Sequence, residues 1–197
     1  MLAISVASVV SGLLITKTGI YLPFIWSGVA INVTGMGLFA LIGTDPSNGM
    51  LIGIPIVFGV GIGLAMQPML SCAQNAVDQK DIATATTLFI TIRMLGSAIG
   101  LAVAQSVLQN EISPLLDALA IKYPNDVTTV YSVINNQSVI WGPTVSPNLR
   151  ADVIEAYVKS LHVVYLVFLA FGGCTFITSL FARNVALRKN IGAAAFE

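Results

Sequence analysis

The sequence predicts an all-α protein, a polytopic bundle of transmembrane helices. Three observations carry this reading. Of the 197 residues 56% are hydrophobic and only 9% charged, with a mean hydropathy of +0.87, whereas a soluble domain carries about 25% charged residues. The apolar residues are gathered into long runs, and the charges fall almost entirely in the segments between them. So few charges cannot clothe a water-soluble surface. In lipid, where no water satisfies backbone N–H and C=O groups, such runs close their hydrogen bonds internally as helices.

The elements follow from one ruler: a hydrocarbon core about 30 Å thick needs roughly 20 apolar residues at a rise of 1.5 Å each. Met1 to Thr16 is apolar but reaches only about 24 Å by that rise before Lys17-Thr18-Gly19 stops it. It lacks a basic leader region and a small-residue cleavage site, so it reads as a helix, and as the remainder of a longer one. Tyr21 to Ile42 is a full span, entered through the interfacial aromatics Tyr21 and Trp26 and ended by the turn cluster Gly43 to Asn48. Met50 to Ala73 is the third span and is rich in glycine. Val77 to Asp81 forms a short polar hairpin, with Asp81 placed to cap the next helix. Ala83 to Leu108 is the fourth span and Leu161 to Ala182 the fifth. The fifth is expected to extend upstream to Leu149, because Val153, Ala156, Tyr157 and Leu161 share one helical face. Residues 1–182 thus make one membrane domain, followed by a tail over 183–197.

Between Gln109 and Asn148 four prolines (Pro114, Pro124, Pro143 and Pro147) punctuate a stretch too polar to span. With the lead-in to the last span it forms a long loop over residues 109–160. Asn136-Gln137-Ser138 there fits an N-glycosylation sequon; Asn32-Val33-Thr34 fits too, but mid-span it is out of reach. Positive residues in short loops stay cytoplasmic. One side holds Lys17, Lys80, Arg183, Arg188 and Lys189; the other holds Lys122, Arg150 and Lys159 with Asp45, Glu111, Asp117, Asp126, Asp152 and Glu155. The long loop is therefore expected outside and the C-terminal tail in the cytoplasm. Five spans then put the N-terminus outside, which suits a chain whose upstream helices are missing.

Polar groups inside a span are informative because a charge at mid-bilayer costs about 2.5–3.5 kcal/mol on insertion scales. Arg93 alone is charged deep in a span. It lies twelve residues beyond Asp81, about 18 Å along the axis, and Gln67 lies eleven residues before Asp78 on the other arm of the same hairpin. The two therefore reach similar depth, and a contact between them is geometrically allowed. Arg93 either snorkels or bonds helix-end carbonyls to lock the hairpin, or it borders a substrate or gating path. Ser97 and Gly100 follow it on the same face. Gln67, Ser71, Gln74 and Asn75 share a stripe that either lines a water-filled cavity or bonds a neighbouring helix; Gln67 favours the cavity, the others the helix interface. Asn32 is either interhelical glue or a cavity group.

Gly59, Gly61 and Gly63, with Gly53 before them, let a neighbouring backbone approach closely, and Gly96 and Gly100 form a small-residue pair on the fourth span. Gly28, Gly35 and Gly37 do the same on the second, and Gly172-Gly173 on the last. His162, near the outer end of the last span, reads as structural rather than as a proton relay.

No Asp or Glu lies deep in a span, so an acidic ion-coupling site is not expected in this chain. One His, two separated Cys and no nucleophile–base pair argue against an enzyme, a metal site or a cofactor. The balanced charge, nine basic against nine acidic residues, gives no field to recruit nucleic acid.

The stretches Gly59 to Gln67 (Gly-Val-Gly-Ile-Gly-Leu-Ala-Met-Gln), Asp81 to Thr86 and Arg93 to Ala102 resemble the late helices of the major facilitator superfamily, most nearly those of fungal fourteen-helix drug and toxin efflux antiporters. Gly12 to Gly19 resembles a degenerate copy of that superfamily's cytoplasmic hairpin motif. Gly12, Lys17 and Gly19 keep their places, Thr16 stands where the motif has Asp, and Ile20 and Tyr21 replace a basic pair. The resemblance covers nearly the whole chain. It implies helices ten to fourteen of a transporter that exports small amphipathic molecules by proton antiport, with a small-molecule substrate and a missing N-terminal half as partners. The plasma membrane is the expected location, with a vacuolar or other organelle membrane as the alternative. The competing expectation is a small stand-alone membrane scaffold or accessory protein.

Overall fold

The computed structural model describes residues 1–135, 140–142 and 145–182. Six α-helices account for nearly all of them: α1 (Leu2–Thr18), α2 (Leu22–Ala40), α3 (Asn48–Asn75), α4 (Ile82–Lys122), α5 (Val127–Asn135) and α6 (Pro147–Leu180), with a 3₁₀ turn at Gln79–Asp81 before α4. Four helical stretches, Leu22–Ala40, Asn48–Asn75, Gln79–Lys122 and Pro147–Leu180, are long and apolar enough to cross a membrane; α1 is apolar but shorter. The chain is an integral membrane protein built as an all-α bundle. Asn136 and the tail, Arg183, Arg188 and Lys189 included, lie outside the described residues.

Local chemistry sets the helix ends. Gly19 ends α1 in the left-handed region, with φ 69°, its N–H donating to the Ile15 carbonyl at 2.8 Å. Only glycine adopts that conformation without strain. Ser47 and Ser146 cap α3 and α6, each hydroxyl accepting from the backbone N–H three residues on, at Met50 and Leu149. Asp81 holds the N-cap position of α4, but its side chain makes no capping bond; the 3₁₀ turn takes its place in leading the chain into the helix.

Contacts fix the directions. Ser11 Oγ donates to the Gly63 carbonyl at 3.4 Å and Gly12 packs on Gln67, so α1 and α3 run parallel. Gly28 meets Ala65 while Gly35 meets Phe58, so α2 runs against α3. Trp26 Nε1 donates to the Ser179 carbonyl at 2.8 Å and Phe39 stacks on Tyr165, so α6 also opposes α2. Lys17, Lys80 and the end of α6 thereby lie at one end of the bundle, with Asp45, Lys122 and Asp152 at the other.

The bundle is held by backbone proximity as much as by side-chain burial. A Cβ at Gly61 would lie 2.5 Å from the Asn32 amide nitrogen, and one at Gly63 would lie 2.5 Å from the Ile4 carbonyl oxygen. Successive residues of a helix turn by 100°, so Gly59 and Gly63, four apart, face α1, while Gly61 between them faces α2. One glycine run thus serves two seams. Lipid tails are as apolar as the side chains, so close packing of this kind, rather than exclusion from water, holds membrane helices together. Gly96 differs, with open space where its Cβ would be, and Gly100 approaches only the Phe168 ring, at 3.9 Å.

The loop read over residues 109–160 is substantially helical. The α4 helix does not stop at the polar Gln109-Asn110-Glu111 but runs to Lys122, because Ile112 and Leu116, four apart, are buried against the chain that follows. They join Val130 and Val133 of α5, Ile140, Val145, and Leu149 and Val153 of α6 in a compact apolar core.

Candidate functional site

A cleft of about 820 Å³ opens between α2, α3, α4 and α6, with Ile4 of α1 at its edge. Its wall is formed by Val29, Val33 and Met36 of α2, Ile62, Ala65, Met66 and Met69 of α3, Phe89 and Ile92 of α4, and Phe168 and Phe171 of α6. Three polar side chains interrupt it: Asn32, Arg93 and Thr175. The Thr175 hydroxyl donates to the Phe171 carbonyl of its own helix at 2.9 Å. Arg93 Nη1 donates to the Met66 sulfur at 3.4 Å, and Asn32 Nδ2 is buried without a hydrogen-bond partner.

Gln67 is elsewhere. Depth alone placed it beside Arg93, but the adjacent residue, Met66, makes that contact. One residue is 100° of rotation, so Gln67 turns away from α4. It lines a separate groove of about 410 Å³ with Ser8, Gly12, Thr16 and Ser71, beside α1. The Gln67–Arg93 contact that matching depth allowed is not made, and the two residues line different cavities: matching depth does not make a matching face.

The remaining polar residues divide. Gln74 Nε2 donates across the hairpin to Thr86 Oγ1 at 3.0 Å. Asn75 Nδ2 bonds the Ser71 carbonyl at 2.8 Å, and Ser97 Oγ the Met94 carbonyl at 2.8 Å, both within their own helices. Lys17 is exposed in the last turn of α1, and His162 is exposed on α6.

A second polar cluster, which sequence reasoning missed, braces the helical element formed by the end of α4, α5 and the start of α6, called the outer element for its expected side of the membrane. Asp152 Oδ2 accepts from Lys122 Nζ at 2.6 Å and from Tyr123 Oη at 2.8 Å. These bonds hold the Asp152 carboxyl below its ordinary range, the Lys122 bond first; the same carboxylate raises Lys122 and Tyr123. Tyr131 Oη donates to Asp117 at 2.6 Å, which raises the Tyr131 hydroxyl. Tyr157 Oη reaches the Val133 carbonyl at 2.9 Å, and Arg150 bonds the Ile140 carbonyl while lying over the Trp141 ring. The four-residue spacing of Ile112 and Leu116 was the available, if masked, signal in the sequence.

Helices of bilayer length, joined through glycine seams around an apolar cleft, define a polytopic membrane bundle. The chain is 30% identical over 187 residues to the efflux pump FUS6 of Gibberella moniliformis, covering 94% of the chain and 33% of that pump. It is 26% identical over 194 residues to the MFS-type efflux pump LUC4 of a Fusarium species, with 93% and 33% covered. The MFS-type transporter gkaD of Penicillium citrinum is 28% identical over 191 residues, with 93% and 32% covered. The chain is thus similar over nearly its whole length to proteins named as efflux pumps and MFS-type transporters, and it spans about a third of the length of the curated relatives it matches. No family model matches it, and no solved structure matches it significantly. Relatives named as pumps and transporters point to a non-enzymatic role.

Proposed function

We propose that the chain contributes part of the C-terminal half of an efflux-type major facilitator, one that exports small amphipathic molecules by alternating access in exchange for protons. The cleft is the observation that carries this reading. Its volume of about 820 Å³ suits a small organic molecule. Its apolar wall with few polar groups suits an amphipathic one. The chain's span, about a third of its relatives' length, supports a partner half that closes the cleft from the other side. No acidic residue lies deep in the apolar runs read as spans, which supports proton-coupling carboxylates in that other half. Clustering of Lys17 and Lys80 at one end supports a cytoplasmic C-terminus, and efflux as a function supports the plasma membrane.

Arg93 and Asn32 are proposed as cleft residues, and Gln67 as part of the α1–α3 groove. The test is export by a full-length transporter carrying this sequence as its C-terminal part. Arg93→Ala should lower export at least several-fold at unchanged membrane abundance. Export at the wild-type rate with normal abundance would reject the assignment.

A further inference from the structure

The polar groups of the cleft say what its occupant carries, and this inference rests on the reading of the cleft as a substrate site. Arg93 has a full positive charge in an apolar setting, yet the hydrogen bond the structure gives it goes to the Met66 thioether, at 3.4 Å. A thioether is a weak acceptor for a guanidinium, which offers five N–H groups in a planar fork. The two ion pairs among the described residues, Lys122 with Asp152 and Lys159 with Glu155, lie elsewhere. Asn32 Nδ2, in the same cleft, is buried and lacks an acceptor altogether. Thr175 already donates to Phe171. The cleft therefore holds unmet donors, one of them cationic, and no acid to answer them among the described residues.

We infer that the cleft accepts an amphipathic organic anion. Its oxyanion head, a carboxylate or an acidic enol or phenol, pairs with the Arg93 guanidinium on the cleft wall. Its apolar body lies on Met36, Met69, Phe89 and Phe168. Charge-assisted bonds of this kind are strong in low dielectric and favour Arg over Lys for a planar head group. Methionines, flexible and polarisable, let the wall adapt to bodies of different shape.

The test uses three probes with one apolar body and different heads: pyrenebutyrate, pyrenebutanol and pyrenebutylamine. Each is titrated against the full 197-residue chain in phosphatidylcholine nanodiscs, with binding read as pyrene anisotropy above that of empty discs. Pyrenebutyrate should bind roughly tenfold or more tightly than the alcohol, and the amine most weakly, as expected for a charged hydrogen bond in an apolar site. Arg93→Gln, its folding checked by thermal melting, should bring the anion down to the alcohol's affinity, and Arg93→Lys should keep part of the preference. The inference is overturned by equal binding of the three probes, by an anion preference that survives Arg93→Gln, or by no binding at all. It is overturned too if phosphatidylglycerol in the discs abolishes the preference, which makes the cleft a lipid head-group site. Because binding is read without transport, an anion preference in a protein that exports nothing would sink the efflux reading alone. Arg93-dependent export of neutral or cationic compounds, without the preference, would sink this inference alone.

Discussion

Gly61 and Asn32 touch backbone to backbone: a methyl group on Gly61 would sit 2.5 Å from the Asn32 nitrogen and 2.7 Å from its Cα. The obstacle is main chain, which has no rotamer to yield. Gly61→Ala should therefore separate α2 from α3 and lower stability by about 1–3 kcal/mol, the range for overpacking. Gly96→Ala, in open space on α4, should leave stability unchanged or slightly raised. Thermal melting of both variants in detergent checks the contrast, and equal losses would contradict it.

Leu116 is fully buried in the core that α4, α5 and α6 share outside the proposed membrane span. Leu116→Ala should cost on the order of 2–5 kcal/mol as a large-to-small change in a packed core. The damage should be local. Limited proteolysis should cut between Lys122 and Arg150 far sooner in the variant, while the seams of α1, α2 and α3 keep their protection.

The brace at Asp152 makes the outer element sensitive to pH. Its carboxyl is held below the ordinary value of 3.8, so its contribution is fully present above that value and is lost as pH falls through the depressed one. Lys122 is raised above 10.5, so its contribution is present below that value and lost as pH rises through the raised one. Asp152→Asn should thus lower Tm by a constant amount across the neutral range. That difference should shrink only in strong acid, where Asp152 is protonated, or in strong base, where Lys122 loses its proton; a gap that closes near pH 6 would assign the effect to another group.

Gln74 bonds Thr86 across the α3–α4 hairpin, but Thr86 already donates to the Ile82 carbonyl at 2.8 Å. Gln74→Leu should therefore cost little, about 0.6 kcal/mol, the average for a polar contact between membrane helices. A loss of several kcal/mol on unfolding would show that this pair locks the hairpin.

The long apolar helices were legible in the sequence because bilayer thickness is a ruler and apolar run length reads directly against it. Glycine spacing also identified Gly59, Gly61 and Gly63 as close-packing candidates, though not that alternate members face different helices. Two things were not legible. Gln67 and Arg93 share a depth, but which residue of a helix meets its neighbour depends on rotation about the axis, which hydropathy does not encode. The outer element was hidden because its prolines and polar residues mask short apolar repeats, Ile112 with Leu116 and Val130 with Val133, that find one another only in three dimensions.

The length of α4 gives the molecule a lever. Its 41 residues make a continuous helix of about 60 Å, with Pro114 inside it, twice the thickness of a hydrocarbon core, with Arg93 in the cleft and Leu116 in the core shared with α5 and α6. Those two residues are separated by about 35 Å of helix, so a tilt of roughly 5° about Arg93 sweeps Leu116 sideways by about 3 Å. A displacement of that size exceeds what a packed apolar core absorbs without rearrangement. Any tilt of α4 at the cleft is therefore expected to disturb the core at its far end, which hydrogen exchange at Val130 and Val133 would read.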